Sequence, residues 1–536
     1  MLGGMQDGKL LVTNIIDHAA RMFASREIVS RWADGSTTRT NWGAVHEDAR
    51  KWAQALVRLG IGKGDRVATL AMNHAHHLVS WYGTMGMGAI LHTVNPRLFH
   101  EQLTYIMNHA EDRVLIFDKA FEPLVEKLKP ELQTIEHFIL FDGPEDGGGD
   151  YPTFRALVDA EDGDFAWADL DERDPCGLCY TSGTTGNPKG VLYEHRSNVI
   201  HAITECMPDA IDLSTRAVML PIVPMFHANS WGLPFACGIV GAKMVFSALN
   251  DGETLCGLLH DEEVTHSAGV PTVWLGMFQH MDATGMDFGK LRVMIVGGSA
   301  APRSMVKRFL EAGVRVSHAW GMTETSPIGT TGVQPAGWDD MSLDEQVDRM
   351  CKQGMPPFNV ELKIVDDDGN DLPWDGATSG KLLVRGPWVL DQYFQDESGK
   401  CVGEDNWFDT GDVAVIHPDG VMQITDRSKD VIKSGGEWIS SIELENAAVG
   451  CPGVAEAAAV GVHHPKWDER PLLICVRKEG AEVTGEEITD YLKDHVAKWW
   501  LPDEVIFVDE LPHTATGKLL KRQLREEYRD YKLATV

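Results

Sequence analysis

Positive charge is in short supply in this chain: 48 Lys and Arg stand against 80 Asp and Glu, a net of −32. That balance argues against a nucleic-acid partner or an anionic membrane surface, and it favours solubility by self-repulsion. Long apolar runs are missing too. The nearest, Leu78–Pro96, is uncharged but holds His92, Asn95 and several glycines behind a strand-like GDRVATLAM. It predicts a buried helix running into a buried strand, not a membrane span. The N-terminal stretch MLGGMQDGKLLVTNIIDHAARMF has early acidic residues and no apolar core before a small-residue cleavage site, so no signal peptide is expected. Nine cysteines, odd in number and scattered, do not fit a disulfide framework and point to a reducing, cytoplasmic setting. Cys176 and Cys179 form a CxxC with no second pair, inside an apolar strand, so core packing is expected over a metal or redox role. A P-loop is absent as well: no Gly-Lys-[Ser/Thr] triplet has the required spacing, which disfavours the common ATPase and kinase folds.

What the chain does hold is YTSGTTGNPKG at Tyr180–Gly190. It follows a short buried strand, and its glycines let the backbone turn N–H groups toward an anion. Thr181, Ser182, Thr184 and Thr185 add donors, Gly183 and Gly186 add freedom, and Lys189 adds charge. Alone, such a loop is also what a plain surface turn looks like.

The length of 536 residues is enough for several cores. Strand and helix signals alternate through RVATLAM, HHLVSWYGTMG, AILHTV, LTYIMNHA and RVLIFD, and again through RAVMLPIVP, AKMVFSA, HSAGVPTVWLGMF and LRVMIVGG. This is βαβ patterning and predicts two α/β layers with parallel sheets. From about Val360 short strands with Asp/Gly turns predict a small β-rich unit. After Asp426-Arg427-Ser428-Lys429 an α+β portion follows: a helix near Ile442–Val449, strands AAAVGV and LLICVRK, a helix from Gly485 and strand VIFVDE. The expected division is a large domain over 1–425, a charged hinge over 426–431 and a small domain over 432–536.

Four further segments carry side chains suited to ATP. In His318-Ala319-Trp320-Gly321-Met322-Thr323-Glu324 an aromatic can stack on a purine and a carboxylate can hold Mg²⁺. Asp412 in WFDTGD can accept both ribose hydroxyls. DRSKDVIKSGGEW at Asp426–Trp438 offers Arg427 and a glycine pair, and TATGK at Thr514–Lys518 ends in a lysine. Singly, each has a plain alternative: Trp320 as a half-buried core aromatic, Glu324 and Asp412 as solvated turn residues, Lys518 as one more surface lysine.

In combination and order, over essentially the whole chain, these segments resemble the adenylate-forming superfamily of acyl-CoA synthetases, peptide-synthetase adenylation domains and firefly-type luciferases. PMFHANSWGLP, GGSAAPRS, GMTETSP, SGGEWISS and HPKWDERP look most like bacterial fatty-acyl-CoA synthetases, a group that includes methylmercaptopropionate-CoA ligases. The resemblance implies an α/β fold: a large N-terminal domain of two α/β subdomains plus a β-barrel, and a small mobile α+β C-terminal domain. It implies an ATP-dependent acid–CoA ligase that works through an acyl-adenylate.

By the same resemblance, Thr181–Gly186 and Lys189 hold the phosphates, and Thr181 and Glu324 share Mg²⁺. Gly298, His318, Ala319, Trp320, Gly321 and Thr323 line the adenylate, while Asp412, Arg427 and Lys429 serve the ribose and the hinge. Lys518 bridges carboxylate and α-phosphate, and Lys433 approaches the site in the thioester-forming state. Ser434, Gly435, Gly436 and Trp438 border CoA; His227, Trp231 and Gly298 border the acyl group. The implied acid is 3-methylthiopropionate or a short or medium-chain acid, with a medium- or long-chain fatty acid as the main rival. A luciferase-like oxygenase, a carrier-loading adenylation domain and a non-catalytic nucleotide binder are the other classes. A homodimer is implied through the large domain. One departure is Lys498-Trp499-Trp500-Leu501-Pro502, where many relatives have a Tyr-Lys pair before Leu/Pro.

Overall fold

The structure, a computed structural model, describes residues 3–141, 150–181, 187–403, 405–427, 429–434, 437–513 and 519–533, with the backbone alone at 437–438. A six-stranded sheet has the order His137–Phe141, Asp112–Asp118, Arg66–Leu70, Ile90–Thr93, Pro175–Tyr180, Gly190–Glu194. A seven-stranded sheet has the order Arg315–His318, Val293–Val296, His266–Gly269, Val218–Pro221, Lys243–Ser247, Glu27–Arg31, Thr37–Asn41. Both are parallel except for one antiparallel edge strand, Gly190–Glu194 in the first and Thr37–Asn41 in the second.

The two layers expected from the βαβ pattern are therefore present, with one difference in assembly. Glu27–Arg31 lies early in the chain yet pairs in parallel with Lys243–Ser247 of the later layer. The N-terminal segment thus stitches the sheets together. One apolar cluster spans both: Val67, Leu91 and Val114 of the first sheet and Ile28, Met244 and Phe246 of the second surround Trp42, Trp52, Trp81 and Phe235. The buried indoles keep their hydrogen bonds where they can; Trp42 Nε1 donates to Ala242 O at 3.1 Å and Trp52 Nε1 to Thr84 Oγ1 at 3.1 Å. Burying these three indoles and the Phe235 ring supplies much of the apolar area that holds the layers in register.

Leu78–Pro96 folds as expected, with helix Ala75–Gly86 buried along its length, a turn at Gly88 with φ +87°, and strand Ile90–Thr93. Among the described residues no helix is long and apolar enough to cross a membrane. Cys176 and Cys179 are buried in strand Pro175–Tyr180, and burial pushes their thiols up to about 12 and about 11. All nine cysteines are free.

The β-rich unit is an antiparallel meander, Glu361–Val365, Gly380–Arg385, Phe408–Ile416 and Met422–Arg427, extended by single bridges from Gly354 to Met422 and from Met355 to Thr331. Its last strand runs through Arg427, so the first two residues of the expected hinge are strand. Beyond it, Ser441–Val449 and Gly485–Leu492 are helices, and Val454–His464 and Asp468–Arg477 form a long antiparallel pair flanked by Glu504–Phe507.

Asp426 ties these parts together. Its side chain is fully buried, and its carboxylate accepts from Ser441 N at 2.6 Å and Ser441 Oγ at 2.7 Å, at the start of helix Ser441–Val449. Lys521 donates to the same Ser441 Oγ at 2.6 Å and pairs with Glu445 at 2.7 Å. A carboxylate at a helix N-terminus, holding two donors that have no water to replace it, is a strong local anchor. Asp426→Ala is therefore expected to cost about 3 kcal/mol. Urea unfolding should show the loss, and limited proteolysis should show earlier cleavage near residues 426–440 than in the parent chain.

Candidate active site

Parallel strands open their carboxyl ends toward ligands, and in this chain several such ends converge. Gly297 and Gly298 follow Val293–Val296, Ala319 and Trp320 follow Arg315–His318, and Thr181 follows Pro175–Tyr180. Together with the β-rich unit they enclose a cavity of about 310 Å³. Of the candidate residues, Thr181, Lys189, His227, Trp231, Gly298, Ala319, Trp320, Gly321, Thr323, Glu324 and Arg427 all line it.

The base of the glycine-rich loop is closed by a pair of bonds. Thr181 N donates to Lys189 O at 2.9 Å, and Lys189 N donates to Thr181 Oγ1 at 3.1 Å. The threonine oxygen keeps a second lone pair for another partner. Ser182, Gly183, Thr184, Thr185 and Gly186 lie outside the described residues, as do Gly435, Gly436 and Lys518.

Glu324 is buried, not a solvated turn residue, and so is Asp412. Tyr393 Oη donates to Glu324 Oε1 at 2.8 Å, and Lys189 Nζ lies 4.5 Å from the centre of the Tyr393 ring. Burial pushes the Glu324 carboxyl up; the Tyr393 hydrogen bond and the charges of Arg427 and Lys189 pull the other way without cancelling it. Trp320 is a core aromatic and a cavity wall at once. It packs with Cys179, Val191 and Tyr193, and its Nε1 donates to Asp412 Oδ2 at 2.8 Å. Asp412 is the cross-strand partner of Arg427, whose Nε lies 3.3 Å from Oδ1. The turn after Trp320 is tight: a Cβ on Gly321 would overlap Pro327 O.

On the opposite wall, Ala228, Asn229, Ser230 and Trp231 all have φ between +42° and +57°, and Gly232 has φ +83°. A left-handed turn of non-glycine residues costs roughly 1–2 kcal/mol per residue, and such strain concentrates at functional sites. Ser230 Oγ donates to Val223 O at 2.9 Å and Cys179 Sγ to Asn229 Oδ1 at 3.4 Å, holding the turn. Trp231 lies against Gly297, where a Cβ would come within 2.9 Å of its ring.

Other candidates are not brought to the cavity. The His318 ring turns away and hydrogen bonds Cys351 O at 3.0 Å; burial lowers it to about 4. Lys429 and Lys433 are exposed away from the cavity walls. Ser434 Oγ accepts from Arg470 Nη1 at 3.2 Å, and the backbone of Trp438 pairs with Lys433. Conversely, the cavity includes Tyr393, Asn187, Thr410, Glu205, Ile211 and Ser317, which the sequence motifs did not single out. Glu205 alone left a signal: an acidic residue ending a helix opposes the macrodipole there.

A family model described as AMP-binding enzyme matches residues 16–394, and one described as AMP-binding enzyme C-terminal domain matches residues 443–518. The chain is 50% identical to a 3-methylmercaptopropionyl-CoA ligase of Ruegeria lacuscaerulensis, over 99% of each chain. It is 46% identical to a medium-chain-fatty-acid–CoA ligase of Ectopseudomonas oleovorans, over 99% of this chain and 98% of that one. Among solved structures, an anthranilate CoA ligase, AuaEII, bound to anthranoyl-AMP superposes with a TM-score of 0.87 at 25% identity, covering 99% of each chain.

The raised Glu324 carboxyl has a measurable consequence. A group that holds its proton more tightly when folded stabilises the fold fully below its unfolded-state value, and loses that contribution as pH rises through the folded value. Glu324→Gln removes the loss and keeps an acceptor for Tyr393. The ligand-free variant should gain thermal stability over the parent chain as pH is raised from about 5 to about 8. A constant difference across that range would show that Glu324 is not the group involved.

Proposed function

The chain belongs to the AMP-binding enzyme family, and we propose that it is an AMP-forming acid–CoA ligase acting on a short or medium-chain carboxylic acid. The observation that carries the reading is one cavity in which Lys189, Arg427, buried Glu324 and the Trp320–Asp412 pair face an apolar wall containing Trp231. Cationic side chains and aliphatic side chains on one cavity suit an anionic acid that must meet a polyanionic phosphate.

In the first step a carboxylate oxygen attacks the α-phosphorus of ATP, and the bond to the pyrophosphate oxygen breaks. In the second, the CoA sulfur attacks the acyl carbon, AMP leaves with the former carboxylate oxygen, and the thiol proton is released. Neither step needs a protein nucleophile; the obstacle is charge. Thr181–Gly186 and Lys189 bind the β- and γ-phosphates, Asp412 accepts from the ribose, and Arg427 guides it. Gly298, Ala319, Trp320 and Thr323 bound the adenylate. Lys518 supplies positive charge where carboxylate and α-phosphate meet. Thr181 Oγ1 and the Glu324 carboxylate are hard oxygen donors on one cavity, a set that suits Mg²⁺. Bound there, the ion would neutralise phosphate charge and favour the ionised form of Glu324.

Lys518 belongs to a small domain, 432–536, that turns about a hinge at 426–431. Ser434, Gly435, Gly436, Trp438 and Lys433 then serve the CoA step. The free cysteines support a cytoplasmic setting, and the family resemblance supports a homodimer. The likeness to the Ruegeria ligase supports 3-methylthiopropionate as the acid, and that to the Ectopseudomonas ligase supports a medium-chain fatty acid.

Across butyrate, 3-methylthiopropionate, octanoate and palmitate, kcat/KM should be highest for 3-methylthiopropionate and at least about tenfold lower for palmitate. A maximum at palmitate would replace the short-acid reading with its rival. Lys518→Ala should slow pyrophosphate release from acid and ATP by about a hundredfold or more while leaving the reaction of supplied acyl-AMP with CoA largely intact. Equal damage to both half-reactions would remove Lys518 from its assigned role.

A further inference from the structure

Two polar groups in the apolar wall have no partner. Glu205 ends helix His195–Glu205 with no exposed surface, lines the cavity, and has no hydrogen bond to either carboxyl oxygen. Ser317 lies in strand Arg315–His318, is equally unexposed, lines the same cavity, and has an unpartnered hydroxyl. The surrounding wall is aliphatic, with Ile211, Ile295 and Ile328. A buried polar group without a partner is costly, so two in one cavity call for a ligand that satisfies them.

The protonation state follows from the neighbours. His201 Nε2 accepts the Ile328 amide proton at 3.2 Å, which leaves the ring proton on Nδ1. That nitrogen is 3.9 Å from Glu205 Oε2, beyond hydrogen-bond range. Burial lowers His201 to about 3, so the ring is neutral and offers Glu205 no countercharge. Cys206 and Cys237, also near, are held as neutral thiols, the first pushed up to about 12. Burial alone therefore pushes the Glu205 carboxyl well up, and its place at a helix C-terminus disfavours a negative charge further. Glu205 is a carboxylic acid with a proton to donate, and Ser317 is a second donor. Gly232 packs against Glu205 and His201: a Cβ there would lie 2.7 Å from His201 Nδ1 and 3.0 Å from Glu205 Oε2.

We infer that Glu205 and Ser317 are specificity-determining donors that select acids carrying an acceptor heteroatom in the chain, a thioether sulfur or an ether oxygen, over alkanoates of the same length. The inference rests on reading this cavity as the acyl site of a ligase. An alkyl chain fills the space but leaves both donors unpaired. A heteroatom accepts from one of them and removes that cost.

Three acids of equal length, 3-methylthiopropionate, 3-methoxypropionate and pentanoate, differ only at the fourth chain position and isolate the effect. The parent enzyme should prefer the two heteroatom acids by about tenfold in kcat/KM. Glu205→Leu should erase that preference, Glu205→Gln should retain most of it through its amide N–H, and Ser317→Ala should reduce it. An unchanged ratio in Glu205→Leu, or a parent enzyme that favours pentanoate, overturns the inference. Should Glu205→Leu fail to fold, an unchanged ratio in Ser317→Ala and a lost one in Glu205→Gln overturn it equally. Absence of thioester formation with every acid would instead sink the ligase reading, whereas turnover with unaltered ratios sinks the donor role alone.

Discussion

Trp320 Nε1 donates to Asp412 Oδ2 at 2.8 Å in a buried setting, and the site takes its shape from that bond. Trp320 pairs with Thr330 in a two-stranded ribbon just beyond the edge strand of the seven-stranded sheet, whereas Asp412 belongs to the antiparallel meander, so the hydrogen bond adds to the apolar packing that joins them. It fixes the indole face that lines the cavity. It also fixes Asp412 and, through cross-strand pairing, Arg427. The neighbouring glycines are consequences of this geometry. A Cβ on Gly329 would enter the Trp320 ring, and one on Gly321 would displace the carbonyl of Pro327.

Two buried carboxyls share the cavity with opposite surroundings, and the contrast divides its labour. Glu324 is pushed up by burial, but a tyrosine hydroxyl and two cationic side chains act against that push, so a bound cation can complete its ionisation. Glu205 has no such support; its neighbours are a neutral imidazole and neutral thiols, and burial pushes its carboxyl well up. Environment, not residue type, makes one an acceptor for charge and the other a donor. A chain with a net charge of −32 can serve polyanionic ligands because the relevant field is local: Lys189 and Arg427 face the cavity while most acidic residues face solvent.

Much of this was legible in the sequence, for identifiable reasons. The alternation of RVATLAM, HHLVSWYGTMG and AILHTV reads as βαβ because strand and helix periods differ and nothing in the structure overrides them. Trp320, Glu324, Asp412 and Arg427 stand out in the sequence because each sits in a compact motif. Pairing between distant segments was not legible, so the placement of Glu27–Arg31 in the later sheet came only from the fold. Tyr393 was missed because its role depends on meeting Glu324 from another loop. His318 shows the converse: it sits inside a motif, but strand alternation turns its ring toward Cys351. No local pattern announced the left-handed turn either, since Ala228, Asn229, Ser230 and Trp231 are not residues that favour positive φ as a group.

That turn links Trp231 to the wall that holds Glu205. Trp231 presses on Gly297 at the end of one strand, and Gly232 presses on His201 and Glu205 at the end of a helix. The strain of four non-glycine residues at positive φ is met by bonds from Ser230 and Cys179 to fixed partners, so the turn has little freedom to relax. Lys189 and Glu324 hang from other elements, but Thr181 follows the strand whose Cys179 bonds to the turn. A change in the turn is therefore felt, through Cys179, in the strand that leads into Thr181.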